Sequence, residues 1–411
     1  MTSGPLSLFA GYGIELEYMI VDRGSGAVRP VADRILAHAA GEISNSAERG
    51  ELAWSNELVL HVIELKTNGP SVSLQSLPDL FIREIRYIND YLQSLDACLM
   101  PTAMHPLMVP ERDTVLWPHD DNEIYAAYNR IFDCRGHGWS NLQSMHINLP
   151  FHGDREFHPL HTAIRALLPV MPAIAASSPL LEGELTGFMD TRLETYRTNS
   201  RRIPEVTGLV IPEVVKNRRE YEQVILEPMY AAIAAYDPAG ILQYEWLNSR
   251  GAIARFDRNA IEIRVLDTQE SAAADIAVAG VIVSVLKALV SQQWSSRNEQ
   301  EQLSTEELTA VFLNMVRDAD EAVIRSREYL KLFRFPGRQC SAIELWQHFL
   351  ESLDEVETAE WRADFDFILN HGCLARRISR AVGPSARRSH VEETCRVLCR
   401  CLERGEVFEG I

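Results

Sequence analysis

Glu15 and Glu17 lie two residues apart in Gly13-Ile-Glu-Leu-Glu-Tyr-Met-Ile-Val-Asp22, a segment that opens by alternating apolar and acidic residues. Period-two alternation marks a β-strand, and residues i and i+2 of a strand point to the same face. Strands disfavour acidic residues, and carboxylates this close repel one another. They coexist when the face is solvated, when one keeps its proton, or when a cation sits between them. An all-oxygen site of that kind suits Mg2+ or Mn2+, and Mg2+ usually comes with substrate phosphates.

Three further segments carry related chemistry. Leu58 to Thr67 reads as a second strand holding Glu64, and Glu57 stands seven residues before Glu64. An odd offset sends two side chains of a straight strand to opposite faces. Either Glu57 precedes the strand, or a bulge reverses the parity. Ser144-Met-His-Ile-Asn-Leu-Pro150 is a short alternating strand with His146 inside it, as a metal ligand or as a satisfied core histidine. Ala260-Ile-Glu-Ile-Arg-Val-Leu-Asp267 repeats the i, i+2 spacing with Glu262 and Arg264. That pair is either a plain salt bridge or a metal ligand beside a phosphate clamp, since the guanidinium fork matches phosphate oxygens. Four strands that each set an acid or a His opposite an apolar face read most economically as one antiparallel sheet. Helices would cover its apolar face, and its polar face would form a metal-lined funnel.

Other segments must position these strands. Helical spacing is present at Asp33 to Ala40, Leu77 to Leu99, His161 to Ala176 and Tyr221 to Ala235. Thr102 to Pro110 reads as extended, and Pro179 to Pro212 as a Gly- and Pro-punctuated surface crossing. After the polar stretch Ser291 to Gln302, Ser304-Thr-Glu-Glu307 has capping-box spacing, and helical patterns dominate to the end. The expected plan is α+β: a catalytic body over residues 1–290, and a helical C-terminal segment over 303–411 packed on it as part of one catalytic unit.

Composition narrows the function classes. A chain of 411 residues can bury a core that needs no disulfides. Forty basic against 58 acidic residues, a net charge of −18, argue against a nucleic-acid groove. The seven cysteines form no CxxC pair and read as reduced thiols, with a metal or redox site at the tail as the alternative. The N-terminus lacks a signal-like apolar run. The apolar stretch Ala272 to Val290 carries Asp275 and Lys287 and reads as a buried helix. A cytoplasmic protein without membrane or nucleic-acid partners is expected, and a homodimer is the commonest closed assembly. Neither a GxxxxGK[ST] loop nor a complete GxGxxG fingerprint, GxSxG elbow or HExxH helix is present.

These segments, in this order, resemble the glutamate–cysteine ligase family 2, a carboxylate–amine ligase group distantly related to glutamine synthetase. Gly13-Ile-Glu-Leu-Glu-Tyr18 is similar to its opening strand, and Glu64-Leu-Lys-Thr67 to its Glu-x-x-Thr strand. Met104-His-Pro106, Met145-His-Ile147, Ser177-Ser-Pro179, Thr186-Gly187, Arg192, Ile261 to Asp267 and His371 to Arg376 follow its later pattern. The likeness spans roughly residues 10 to 380. It implies a glutamine synthetase-like curved antiparallel sheet forming an active-site funnel. It also implies ATP-dependent amide-bond formation through an acyl phosphate, with glutamate and cysteine as the default pair. By this resemblance Glu15, Glu17, Glu57, Glu64, His146 and Glu262 would hold Mg2+ or Mn2+. Glu17 and Glu64 would face the transferring phosphoryl, and the other four would hold ions nearer the β and γ phosphates of ATP. Arg264 would neutralise charge on the phosphoryl group, and Arg192 would be a second clamp on phosphate or substrate carboxylate. The chain departs from the family pattern at Asp133 to Trp139, Asn148 to Pro150 and Asp257 to Asn259, on the side where substrates would enter.

Overall fold

The computed structural model describes Gly4 and residues 6–410. Eight strands make one sheet. They are β1 (Gly13–Asp22), β2 (Ser46–Arg49), β3 (Leu52–Asn56), β4 (Val62–Thr67), β5 (Ala97–Met100), β6 (Ser144–Pro150), β7 (Ala252–Arg255) and β8 (Ala260–Asp267). The order is β2-β3-β4-β1-β6-β8-β7, with β5 pairing the far end of β1. Every pairing is antiparallel. The alternation of β1 does what its sequence dictates. Ile14, Leu16, Tyr18 and Ile20 are fully buried, while Glu15 and Glu17 turn to the opposite face.

The helices that frame the sheet are α1 (Ala32–Ala40), α2 (Leu77–Gln93), α3 (Gly153–Leu167), α4 (Thr191–Asn199), α5 (Ala272–Val290), α6 (Thr305–Asp318), α7 (Leu374–Val382) and α8 (Arg388–Arg404). Among the described residues α5 alone has the length and hydropathy to cross a membrane; here most of it is buried inside the protein, against α2 and α3. Its Ala- and Val-rich surface allows close approach. At Gly280 an added Cβ would stand 2.3 Å from Cδ1 of Trp361, so α5 and the C-terminal segment meet without room for a side chain. One apolar core runs from Leu16 of β1 through Val281 of α5 to Phe312 of α6, Phe349 and Leu402 of α8. Each such aliphatic or aromatic side chain contributes about 1.5–3 kcal/mol on burial. The capping box at Ser304 forms: its hydroxyl accepts from Glu307 N at 3.1 Å, and Glu307 accepts from Ser304 N at 2.8 Å.

The structure departs from the sequence reading at several points: the second strand starts at Val62 rather than Leu58, and the polar stretch 291–302 holds a short helix, Arg297–Glu301. The hairpin β2–β3 and strand β7 were not legible, because their short, mixed segments lack alternation. α2 stops at Gln93 rather than Leu99; Asp96 turns left-handed at φ 52°, and the chain re-enters the sheet as β5. α3 starts at Gly153, eight residues before His161, and carries Pro159 inside it. The stretch 179–212 is not only a surface crossing. It contains α4, whose first turn buries Thr191, Arg192 and Leu193. There Asp190 caps the helix by accepting from Leu193 N at 2.8 Å.

Candidate active site

Strand register converts the separate motifs into one cluster. Glu15 of β1 lies opposite His146 of β6, and Glu17 lies opposite Glu64 of β4. Glu262 of β8 lies opposite Asn148, two residues along from His146. Five neighbouring strands therefore present polar side chains on one face, while Met145, Ile147 and Leu149 of β6 and Ile261 and Ile263 of β8 are fully buried. Glu57 follows the end of β3 directly. It has the parity of Ser55, which is paired with Glu64. The odd offset between Glu57 and Glu64 thus needs no bulge: Glu57 precedes β4, in the connection that joins β3 to it. The bulge in this sheet lies elsewhere, between Ile263 and Leu266 of β8, at Arg264. Bulges re-aim side chains next to active sites. Arg264 Nε approaches Glu262 Oε1 at 3.0 Å. The approach lacks hydrogen-bond alignment and leaves Nε buried without a hydrogen-bond partner, so the contact is an ion pair with donor capacity to spare.

His146 is the hub. Its Nδ1 lies 2.9 Å from Glu15 Oε2 and 3.7 Å from Glu262 Oε1, and its Nε2 lies 2.9 Å from Ser144 Oγ. Ser144 donates from both its backbone N–H (2.7 Å) and its hydroxyl (3.1 Å) to Glu17. Asn148 donates to Glu15 Oε1 at 3.0 Å. Glu64 accepts from Ser55 Oγ at 2.5 Å and pairs with Lys66, which also reaches Ser55 at 2.8 Å. Two triads result, Glu15–His146–Glu262 and Glu17–Glu64–His146, and within each the donor atoms lie within 4.8 Å of one another.

The crowding shows in the proton affinities. Burial, then the charges of Glu17 and Glu64, hold Glu57 well above the ordinary carboxylate range. Burial and the Glu15 charge push Glu64 up to about 7, against the pull of Lys66. Glu15 goes the other way: burial opposes its ionisation, yet the hydrogen bond and charge of His146 carry it below the usual range. Burial likewise opposes protonation of His146, and its hydrogen bond to Glu15 with the charges of Glu15, Glu17 and Glu262 overcomes that. The cluster thus meets its own repulsion with protons, which is what cations would otherwise do. Carboxylate oxygens with one imidazole fit a hard divalent ion such as Mg2+ or Mn2+. Glu15, Glu17, Glu57, Glu64, His146 and Glu262 are the residues that would hold it. His146 would exchange one of its present ring partners to do so.

Arg192 takes a different place. It reaches the base of the site from α4, 2% exposed, and its Nε donates to Asp267 Oδ1 at 2.5 Å. Asp267 is also held by Ser177 N and Ser178 Oγ, both at 2.8 Å. Nη1 of Arg192 reaches Arg264 O at 3.3 Å, and Nη2 is buried without a partner. Arg192 thus braces the strand that carries Arg264. Sequence reasoning passed over Ser55, Lys66, Ser144 and Asn148. The signal was available: Ser144, His146 and Asn148 share one strand parity, as do Glu64 and Lys66. At one end of the funnel, Glu15, Lys66 and Asn148 border a cavity of about 610 Å3 that reaches Arg258 and Asn259.

Set beside known proteins, this sheet has the fold of a solved glutamate–cysteine ligase. The glutamate–cysteine ligase of Francisella tularensis, solved in complex with AMP, aligns over 95% of this chain and 88% of its own with a TM-score of 0.63, at 12% identity. That likeness is one of fold. The sequence profile of glutamate-cysteine ligase family 2 matches residues 12–393, and the chain belongs to that family. A relative of undescribed function from Archaeoglobus fulgidus is 34% identical over 396 residues, covering 96% of this chain and 99% of its own.

Proposed function

We propose that the protein is a carboxylate–amine ligase that depends on ATP and on Mg2+ or Mn2+ and works through an acyl phosphate. A substrate carboxylate oxygen attacks the γ-phosphorus of ATP, the bond to the β-phosphate bridging oxygen breaks, and ADP leaves. The amine nitrogen then attacks the acyl carbon, phosphate leaves, and the nitrogen loses its surplus protons. A bound divalent ion supplies charge neutralisation and alignment of the phosphates. The chain's own part is to hold the carboxylates by strand register, to fix His146 between Glu15 and Ser144, and to aim Arg264 at the developing phosphoryl charge. Arg192 supports Arg264 from below through its carbonyl and keeps one free donor.

The observation that carries this reading is the convergence of five glutamates and His146 on one sheet face in a chain of this family. A silent binding member of the fold would have no use for the proton-sharing tension among Glu15, Glu57 and Glu64. Glutamate with cysteine, giving γ-glutamylcysteine, is the default pair. Another carboxylate–amine pair is the second reading, favoured by the departures at 133–139 and 257–259 and by the ring cluster Tyr128, Phe132, Trp139 and Trp246 beside the site. We also propose that the body and the C-terminal helices form one catalytic unit, acting in the cytoplasm on small-molecule substrates, as a homodimer. ADP release across paired amino acids and amines with Mg2+ tests the function. ADP release that requires both a carboxylate and an amine supports the ligase. Release with carboxylates alone, or none with any pair, overturns it.

A further inference from the structure

A second cavity, of about 430 Å3, lies between the β5 end of β1 and helix α8, away from the acidic cluster. Its floor is rich in sulfur. Cys98 stands on β5 opposite Val21 of β1, and Cys395 and Cys399 stand one helical turn apart on α8, facing β5. Met19, Met100 and Met108 pack behind them. Cys399 packs against the cluster that holds Cys98, and both border the same cavity, so the two thiols stand beside each other across the two elements. Cys98 is otherwise buried, yet it borders the cavity, where Arg23 and Arg400 stand at the rim. Of the other cysteines, Cys134 and Cys340 are buried, Cys373 bonds Asp320 and Cys401 bonds Val407 O, while Cys395 shares the cavity from the same helix as Cys399.

From this juxtaposition we infer that Cys98 and Cys399 form a redox dithiol, oxidised by a low-molecular-weight disulfide entering the cavity. The Cys98 thiolate attacks one sulfur of the disulfide RSSR. That S–S bond breaks, one RS− leaves and takes up a proton, and Cys98 carries the SR group. Cys399 then gives its proton to solvent and attacks the Cys98 sulfur, releasing the second RS−, which is protonated. Two protein thiols are oxidised, and one RSSR is reduced to two RSH. Two features support Cys98 as the attacking group. The neighbouring Cys399 thiol and the Arg23 charge hold the proton affinity of Cys98 below the ordinary thiol, while the neighbouring Cys98 and burial raise that of Cys399. The bond would staple the C-terminal helix to the sheet across some three hundred residues of chain, from 98 to 399. None of this depends on the ligase reading.

The test uses the reduced full-length protein and 2-hydroxyethyl disulfide, followed by alkylation and mass spectrometry of unreduced peptides. The expected result is loss of two thiols per chain, a Cys98–Cys399 linked peptide, and recovery of both thiols with dithiothreitol. Cys399→Ser should trap a single mixed disulfide on Cys98. Cys98→Ser should leave Cys399 unmodified, with Cys98→Ala made as well should the serine disturb folding, judged by the melting curve. In the untreated protein, Cys98 should alkylate at least about tenfold faster than Cys134 or Cys340. No loss of thiols, a linkage through another pair, or two thiols still lost in the Cys98 variants would overturn the inference.

Discussion

Binding of Mg2+ to the acidic face should release protons, and Glu64 sets the least amount. Its proton affinity, pushed up to about 7 by burial and by Glu15, leaves it about half protonated at pH 7, about nine-tenths at pH 6 and about one-tenth at pH 8. A carboxylate that ligates a metal must give up its proton. Glu64 alone therefore yields about half a proton per chain at pH 7, and this share falls as pH rises. Glu57 and His146, both held above their ordinary ranges, add to it. The sign follows: metal affinity weakens as pH falls below 7, because protons then compete for the same oxygens. Isothermal titration of Mg2+ with a non-hydrolysable ATP analogue, in buffers of low and high ionisation enthalpy, reads the number directly. The observed enthalpy should change with the buffer in proportion to the protons released. Glu64→Gln should lower release at pH 7 by about half a proton. A binding enthalpy independent of the buffer between pH 6 and 7 would refute the argument that protons stand in for the cation in this cluster.

Three other perturbations separate catalysis from stability. Glu262→Gln removes a donor from the Glu15–His146–Glu262 triad and should lower turnover at least about 100-fold with an unchanged melting temperature; a rate within tenfold of wild type would remove Glu262 from the metal set. Asp267→Ala leaves Arg192 charged, buried and unpaired, and should cost about 3–5 kcal/mol in urea unfolding, whereas a cost below about 1 kcal/mol would mean that Arg192 finds another partner. Burial lowers His61 to about 4 and His161 to about 3, so the native state keeps both neutral. The stability they give is full above their unfolded pKa near 6.5 and is lost as pH falls toward the folded values. At pH 5 each costs about 2 kcal/mol, and His161→Leu should remove about half of the combined slope in urea midpoint against pH; a slope unchanged by the substitution would show that His161 takes up no proton on unfolding.

The acidic face was legible where a strand spoke for itself. Glu15 and Glu17, Glu262 and Arg264, and His146 each sit in a run whose period-two pattern declares which side is core. The helical C-terminal segment announced itself through the Ser304 capping box and the spacing that follows. The hairpin β2–β3 did not, because Ser46–Arg49 mixes Ser, Ala, Glu and Arg, and its turn depends on Gly50 at φ 74°. The burial of Arg192 was hidden too. Its stretch is polar along the chain, and only the distant Asp267 makes a buried arginine tolerable there.

By itself the sequence determined the faces: which side of each strand is oily, which side is acidic, and therefore which residues could meet a cation. Local sterics and hydrophobic periodicity act within a few residues, so they are written in the chain. What only the tertiary structure decided is the pairing: Glu17 against Glu64, Glu15 against His146, and Cys98 beside Cys399 at one cavity. Those contacts join residues from about 50 to 300 positions apart. Their register is set by the fit of one buried face against the helices, a property of the whole core that no single segment carries.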